Sequence, residues 1–181
     1  DCKANPQYVI WSTPAVMDVN NRPGVIRLFL YMLIAASVSG GIVGWIRSSE
    51  TALWAASLNF PDWAPGGHLP DIVSILMLQL IAISLWITQR ADRCTMRLLS
   101  VLLTLGLIGG VCLQLCIIFV GRDITTGFLA GLALWLYMLV TMTVVDRCSK
   151  ASAVLLWLPF AWLTLGLAFA FEVMRLNEGS N

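Results

Sequence analysis

The chain has 181 residues, 59% of them hydrophobic and 12% charged, with a formal net charge of +1 and a mean hydropathy of +0.83. Soluble domains carry about 25% charged residues, so this composition excludes a soluble globular fold, and the near-neutral charge without a basic stripe excludes nucleic-acid binding. It leaves room for one membrane-embedded domain.

Residues 1–24 form a polar N-terminal extension with Pro6, Pro14 and Pro23, ending in the breaker Asn20-Asn21-Arg22-Pro23-Gly24. Its polar start lacks the short basic region of a cleavable signal, and the absent initiator Met implies a processed or trimmed start. The cluster Tyr8-Val9-Ile10-Trp11 either belongs to a loose tail or docks at the membrane interface or on a partner. Next come five stretches free of Asp, Glu, Lys and Arg: Leu28–Ile46, Ile72–Gln89, Leu98–Gly121, Ile124–Val145 and Ala151–Phe171. About 20 apolar residues at about 1.5 Å each cross the hydrocarbon core. In lipid, every backbone polar group must be satisfied within its own segment. The prediction is therefore an all-α integral membrane bundle of five transmembrane helices over residues 25–177, followed by a tail at 178–181.

The first span carries Gly40 and Gly44 at G-x-x-x-G spacing. Such small residues let helix backbones approach, either within the bundle or in a homodimer seam. The connection that follows, roughly Arg47 to Asp71, is long and holds Trp54, Pro61, Trp63, Pro65, Gly66, Gly67, His68 and Pro70. Long connections in compact proteins usually carry function, and a lid over the bundle mouth is expected here. The remaining connections are short and force antiparallel neighbours. The third span has a small-residue patch at Gly106, Gly109 and Gly110, and its Cys112 and Cys116, four apart on one face, read as packing residues.

Charge sets the expected orientation. Lys3, Arg22, Arg27, Arg90, Arg93, Arg97, Arg147 and Lys150 fall on one side, and Arg47, Arg122 and Arg175 on the other. The positive-inside rule puts the N-terminus on the cytoplasmic or equivalent side, with the long connection and the C-terminus opposite. The spans hold no acidic or basic residue except Glu172 at an end, and their polar side chains include Ser, Thr, Cys and the amides Gln79 and Gln114. Proton- or ion-coupled transport normally needs intramembrane charge, and no nucleophile–base pair or metal cage is visible, so neither a coupled transporter nor a conventional enzyme is expected.

The stretch Trp54-Ala-Ala-Ser-Leu-Asn-Phe-Pro-Asp-Trp-Ala-Pro65 resembles the first-loop signature of the translocator protein / tryptophan-rich sensory protein (TspO/MBR) family, approximately W-Y-x-x-L-x-K-P-x-W-x-P-P. Trp54, Leu58, Pro61, Trp63 and Pro65 fall on the pattern, while Ala55, Phe60 and Gly66 depart from it. Further similarity runs through Phe119-Val120-Gly121, Leu134-Trp135, Thr141, Ser149, Leu155 to Trp162, and Arg175-Leu176-Asn177. Departures stand at Ile72, Leu76, Cys112, Leu115-Cys116-Ile117, Ala170, Phe171 and Glu172.

The resemblance implies five transmembrane helices and a slot for a small hydrophobic ligand, most of all a tetrapyrrole of the porphyrin, haem or chlorophyll type, held for transport, sensing or regulation. The residues it nominates are Trp54, Leu58, Pro61, Trp63, Trp135, Trp162 and Phe171. No cofactor is required, and a bound tetrapyrrole or membrane lipid is the expected small-molecule partner. His68, the only histidine, is either a solvated loop residue or an axial ligand for a tetrapyrrole metal. Trp11, Trp45, Trp86 and Trp157, near span ends, read as interface-belt residues. The Leu167-x-x-x-Phe171-x-x-x-Arg175 spacing imitates a sterol-contact consensus but lacks its Tyr hydroxyl, which argues against sterol. The alternative reading is a non-catalytic accessory subunit of a larger membrane complex, its ligand pocket degenerate.

Overall fold

The computed structural model describes residues 24–48, 50–64, 66–91 and 95–177. The Tyr8–Trp11 cluster, Lys3, Arg22, Pro65, Arg93 and the tail at 178–181 lie outside the described residues. The elements are α1 (Val25–Ser48), α2 (Thr51–Ala56), α3 (Leu69–Arg90), α4 (Arg97–Gly121), α5 (Ile124–Asp146) and α6 (Lys150–Asn177). All but α2 are long and apolar enough to cross a membrane, which gives the five expected spans. The protein is an integral, multi-pass membrane protein. α6 runs to Asn177, beyond Glu172 and Arg175, because a charge marks where lipid ends and not where helical hydrogen bonding must stop. The long connection also contains an element absent from the sequence reading, the single-turn α2, whose TALWAA stretch is rich in strong helix formers.

α3, α6, α5 and α4 form a ring in that order, closed by contact of α4 with α3, and α1 packs on α3 with a minor contact to α4. Side-chain bonds fix the antiparallel registers. Tyr31 Oη donates to Gln89 Oε1 at 2.9 Å between α1 and α3. Ser84 Oγ donates to the Ser152 carbonyl at 3.1 Å between α3 and α6. Tyr137 Oη donates to the Leu103 carbonyl at 2.9 Å between α5 and α4. The long connection therefore joins the C-terminal end of α1 to the N-terminal end of α3, at the end where α4 meets α5 and α6 terminates.

Much of the buried core lies in the half away from that connection. Ser84, Thr88, Ser100, Thr104, Thr141 and Ser152 are all fully buried there, beside Leu107, Met138, Val145 and Leu156. Small hydroxyl residues let backbones come close and hide their own polarity: Thr88, Thr104 and Thr141 each donate to the carbonyl four residues earlier. Glycines permit the closest approach of α4 and α5. A Cβ on Gly106 would lie 2.3 Å from Tyr137 Oη, and one on Gly127 would lie 2.3 Å from Ile118 Cγ1. Gly40 and Gly44 behave differently, being exposed with nothing within 4 Å of an added Cβ. They do not serve packing among the described residues.

The turn between α4 and α5 is only Arg122-Asp123. Arg122 adopts the left-handed conformation, φ 50°, which reverses the chain. Asp123 then caps α5, accepting from the Thr125 amide at 2.9 Å, the Thr126 amide at 3.2 Å and the Thr126 hydroxyl. The Thr126 hydroxyl above all, with the two amides, holds the Asp123 carboxyl below its ordinary value.

Two outcomes follow. Gly127→Ala should destabilise the bundle by about 1–3 kcal/mol, since Ile118 must leave its rotamer, whereas Gly44→Ala should be neutral or slightly stabilising through helix propensity; unfolding in mixed micelles measures both. A depressed folded-state value means that the Asp123 contribution is full above the unfolded carboxylate range and is lost as pH falls through the folded value. Wild type and Asp123→Ala should thus differ in melting temperature at neutral pH and converge in acid.

Candidate functional site

The connection from Glu50 to His68 lies across the ends of the helices as a flap. On one flank, Trp54 of α2 meets Phe119 of α4 edge-to-face with ring centroids 6.5 Å apart, and Arg122 pairs with Glu50 at 3.3 Å. On the other flank, Phe60 stacks on Phe169 of α6 at 5.9 Å, and Trp63 meets the same ring edge-on at 5.9 Å. Asn177, at the end of α6, clasps the flap backbone: its Nδ2 donates to the Asn59 carbonyl at 3.1 Å and its Oδ1 accepts from the Asn59 amide at 3.1 Å. The base of the flap is held where Arg47 pairs with Asp71 through its Nε at 3.1 Å and its Nη2.

α3 starts immediately after the flap. Gly67 turns the chain at φ +70°, a backbone angle that disfavours other residues. Pro70 sits in the first turn, where its missing N–H costs nothing. One turn on, Ser74 Oγ donates to the Pro70 carbonyl at 2.7 Å and accepts from Trp162 Nε1 at 3.2 Å. This relay pins the Trp162 indole of α6 against the start of α3.

Beneath Trp63 lies a cavity of about 100 Å³, lined by Trp63, Pro70, Trp162, Leu165, Gly166 and Phe169. Of the residues nominated from sequence, Trp63 and Trp162 converge on this wall. Pro61 is buried and Leu58 half-buried within the flap. Trp54 lies against α4. Trp135 is on the α5–α6 seam, donating to Thr164 Oγ1 at 2.9 Å and tilted against Phe160 at 5.3 Å. Phe171 lies on the same seam against Phe128 at 5.9 Å. His68 is exposed just before α3, and is not part of the cavity wall.

Phe169, Leu165, Gly166 and Pro70 were not singled out as ligand contacts from sequence. The helical spacing 162, 165, 166, 169 was a usable signal, because such residues share one helix face. A shallower depression of about 470 Å³ lies elsewhere, beside the α4–α5 turn, lined by Cys116, Ile117, Val120, Gly121, Asp123 and Thr126. Cys112 and Cys116 on that helix are free thiols.

The model of the TspO/MBR family matches residues 29–176. The chain belongs to that family, and so to membrane proteins that bind small hydrophobic ligands. No curated protein matches the sequence.

The clasp makes a direct prediction. Asn177→Ala removes both bonds to the Asn59 backbone, each worth about 0.5–1.5 kcal/mol. Amide exchange across the flap should accelerate while the melting temperature of the bundle changes little; hydrogen-exchange mass spectrometry resolves the two.

Proposed function

We propose that this TspO/MBR family member binds a flat, apolar small molecule, a tetrapyrrole foremost, beneath its first connection, for transport, sensing or regulation and without catalysis. The observation that carries this reading is the cavity walled by Trp63, Trp162 and Phe169 under a flap clasped by Asn177. Aromatic faces suit a macrocycle, which gains stacking area without needing polar partners.

Ligand pockets for drug-sized molecules measure about 300–1,000 Å³, against about 100 Å³ here. Binding must therefore lift the flap, parting Phe60 and Trp63 from Phe169. Each aromatic pair is worth about 0.5–1.5 kcal/mol beyond area burial, a cost that a buried macrocycle offsets easily. The end opposite the flap carries Arg27, Arg90, Arg97, Arg147 and Lys150, so in this reading the flap faces away from the cytoplasmic or equivalent side.

A second reading is an accessory subunit of a larger membrane complex. The small cavity and the open Gly40–Gly44 face of α1, suited to a neighbouring helix or a second copy of the chain, favour it.

Titration of the protein in lipid nanodiscs with mesoporphyrin and with its dimethyl ester, following tryptophan fluorescence, separates the two. Ligand binding predicts saturable quenching by at least one of them. Gly166→Leu, which has open space at its Cβ, should fold normally and weaken that quenching by about tenfold or more, about 1.4 kcal/mol. Quenching by neither compound, with co-purification in a stoichiometric complex, would decide for the accessory role.

A further inference from the structure

We infer that the cavity selects ring systems without ionised carboxylates, so that an uncharged macrocycle is preferred over the same macrocycle bearing propionates. The inference rests on the ligand-binding reading above and specifies its ligand class.

The wall offers nothing to a carboxylate. Its residues are Trp63, Pro70, Trp162, Leu165, Gly166 and Phe169, none of them cationic. The Trp162 N–H is already committed to Ser74, and the Ser74 hydroxyl to the Pro70 carbonyl. The Trp63 indole, the other side-chain donor in the wall, is neutral. A carboxylate entering this site would leave its hydration behind without a charged partner, which is strongly unfavourable.

The rim does not supply the missing cation. Among the described residues at this end the guanidiniums are those of Arg47, Arg122 and Arg175, and each is paired, with Asp71, Glu50 and Glu172 respectively. Asp62 and Asp123 add further negative charge, so carboxylates outnumber guanidiniums around the flap. Exposed pairs contribute little to stability one by one, but together they set the sign of the field at a cleft. That field repels a dianion and is indifferent to an uncharged ring.

Arg47 is the residue nearest to reversing this preference. Its partner Asp71 directly follows Pro70 of the cavity wall. Removing the carboxylate would free a cation beside the mouth.

The test uses the full chain in phosphatidylcholine nanodiscs, with mesoporphyrin and mesoporphyrin dimethyl ester as probes and empty nanodiscs as the partition control. The diester should bind at least about tenfold more tightly than the diacid, a difference of about 1.4 kcal/mol. Asp71→Asn also loosens the base of the flap for both probes, so the readout is the ratio: the diacid should gain severalfold more affinity than the diester, which narrows it. Diacid binding as tight as that of the diester, or a ratio unmoved by Asp71→Asn, would overturn the inference with the binding site left intact. Saturable binding of neither probe would remove the ligand-binding reading, and the inference with it.

Discussion

Close approach of the helices in the half of the bundle away from the first connection is the constraint on which the rest of the molecule depends. In lipid there is no hydrophobic drive to bring one greasy helix to another, so packing and hydrogen bonds must do it. Buried Ser84, Ser100 and Ser152, with Thr88, Thr104 and Thr141, meet that need. Their side chains are short enough for near contact, and most of their hydroxyls are spent on nearby carbonyls. Gly106 and Gly127 do the same along α4 and α5. With one half tightly seamed, the helix ends at the other half are held in a fixed ring on which a flap can rest.

The flap is attached by contacts of a different kind. Aromatic edges and faces, one side-chain amide clasped to one backbone amide, and exposed ion pairs hold it. Each is modest, and each can break without exposing a charge to lipid. The two halves of the protein thus differ in what holds them: the hydroxyl-lined half is joined by buried contacts, whereas the flap is held largely by exposed ones, the kind that mark segments of low local stability. A small, partly open cavity and a weakly held cover belong to one arrangement, and in the proposed reading ligand entry requires the cover to move.

Pairing of every described guanidinium around the flap gives this end its chemical character. The same ion pairs that anchor the base of the flap also withdraw the cations that would recognise an anionic ligand. In the proposed reading, structural anchoring and ligand preference act through the same side chains, Arg47 and Asp71 above all.

Much of this was legible in the residues. Charge-free runs of bilayer length determined five helices, because an unpaired backbone group or an unsolvated charge is intolerable in hydrocarbon. The Trp54–Trp63 pattern, Trp162 and Arg175-Leu176-Asn177 determined the family, with a match over residues 29–176. What the residues did not disclose was which aromatics meet. Trp63 and Trp162 converge on one cavity, while Trp135 turns to Thr164 on another seam. Local sequence carries no record of helix rotation, so the role of Phe169 as the anvil for both Phe60 and Trp63 emerged only from the fold. The same holds for Gly40 and Gly44, whose spacing suits either packing or an open face; only the helix order put them outside. Transfer into lipid is decided residue by residue and can be read along a line. Contact between Asn59 and Asn177, 118 residues apart, depends on how five rods are turned against one another, and that is a property of the whole bundle.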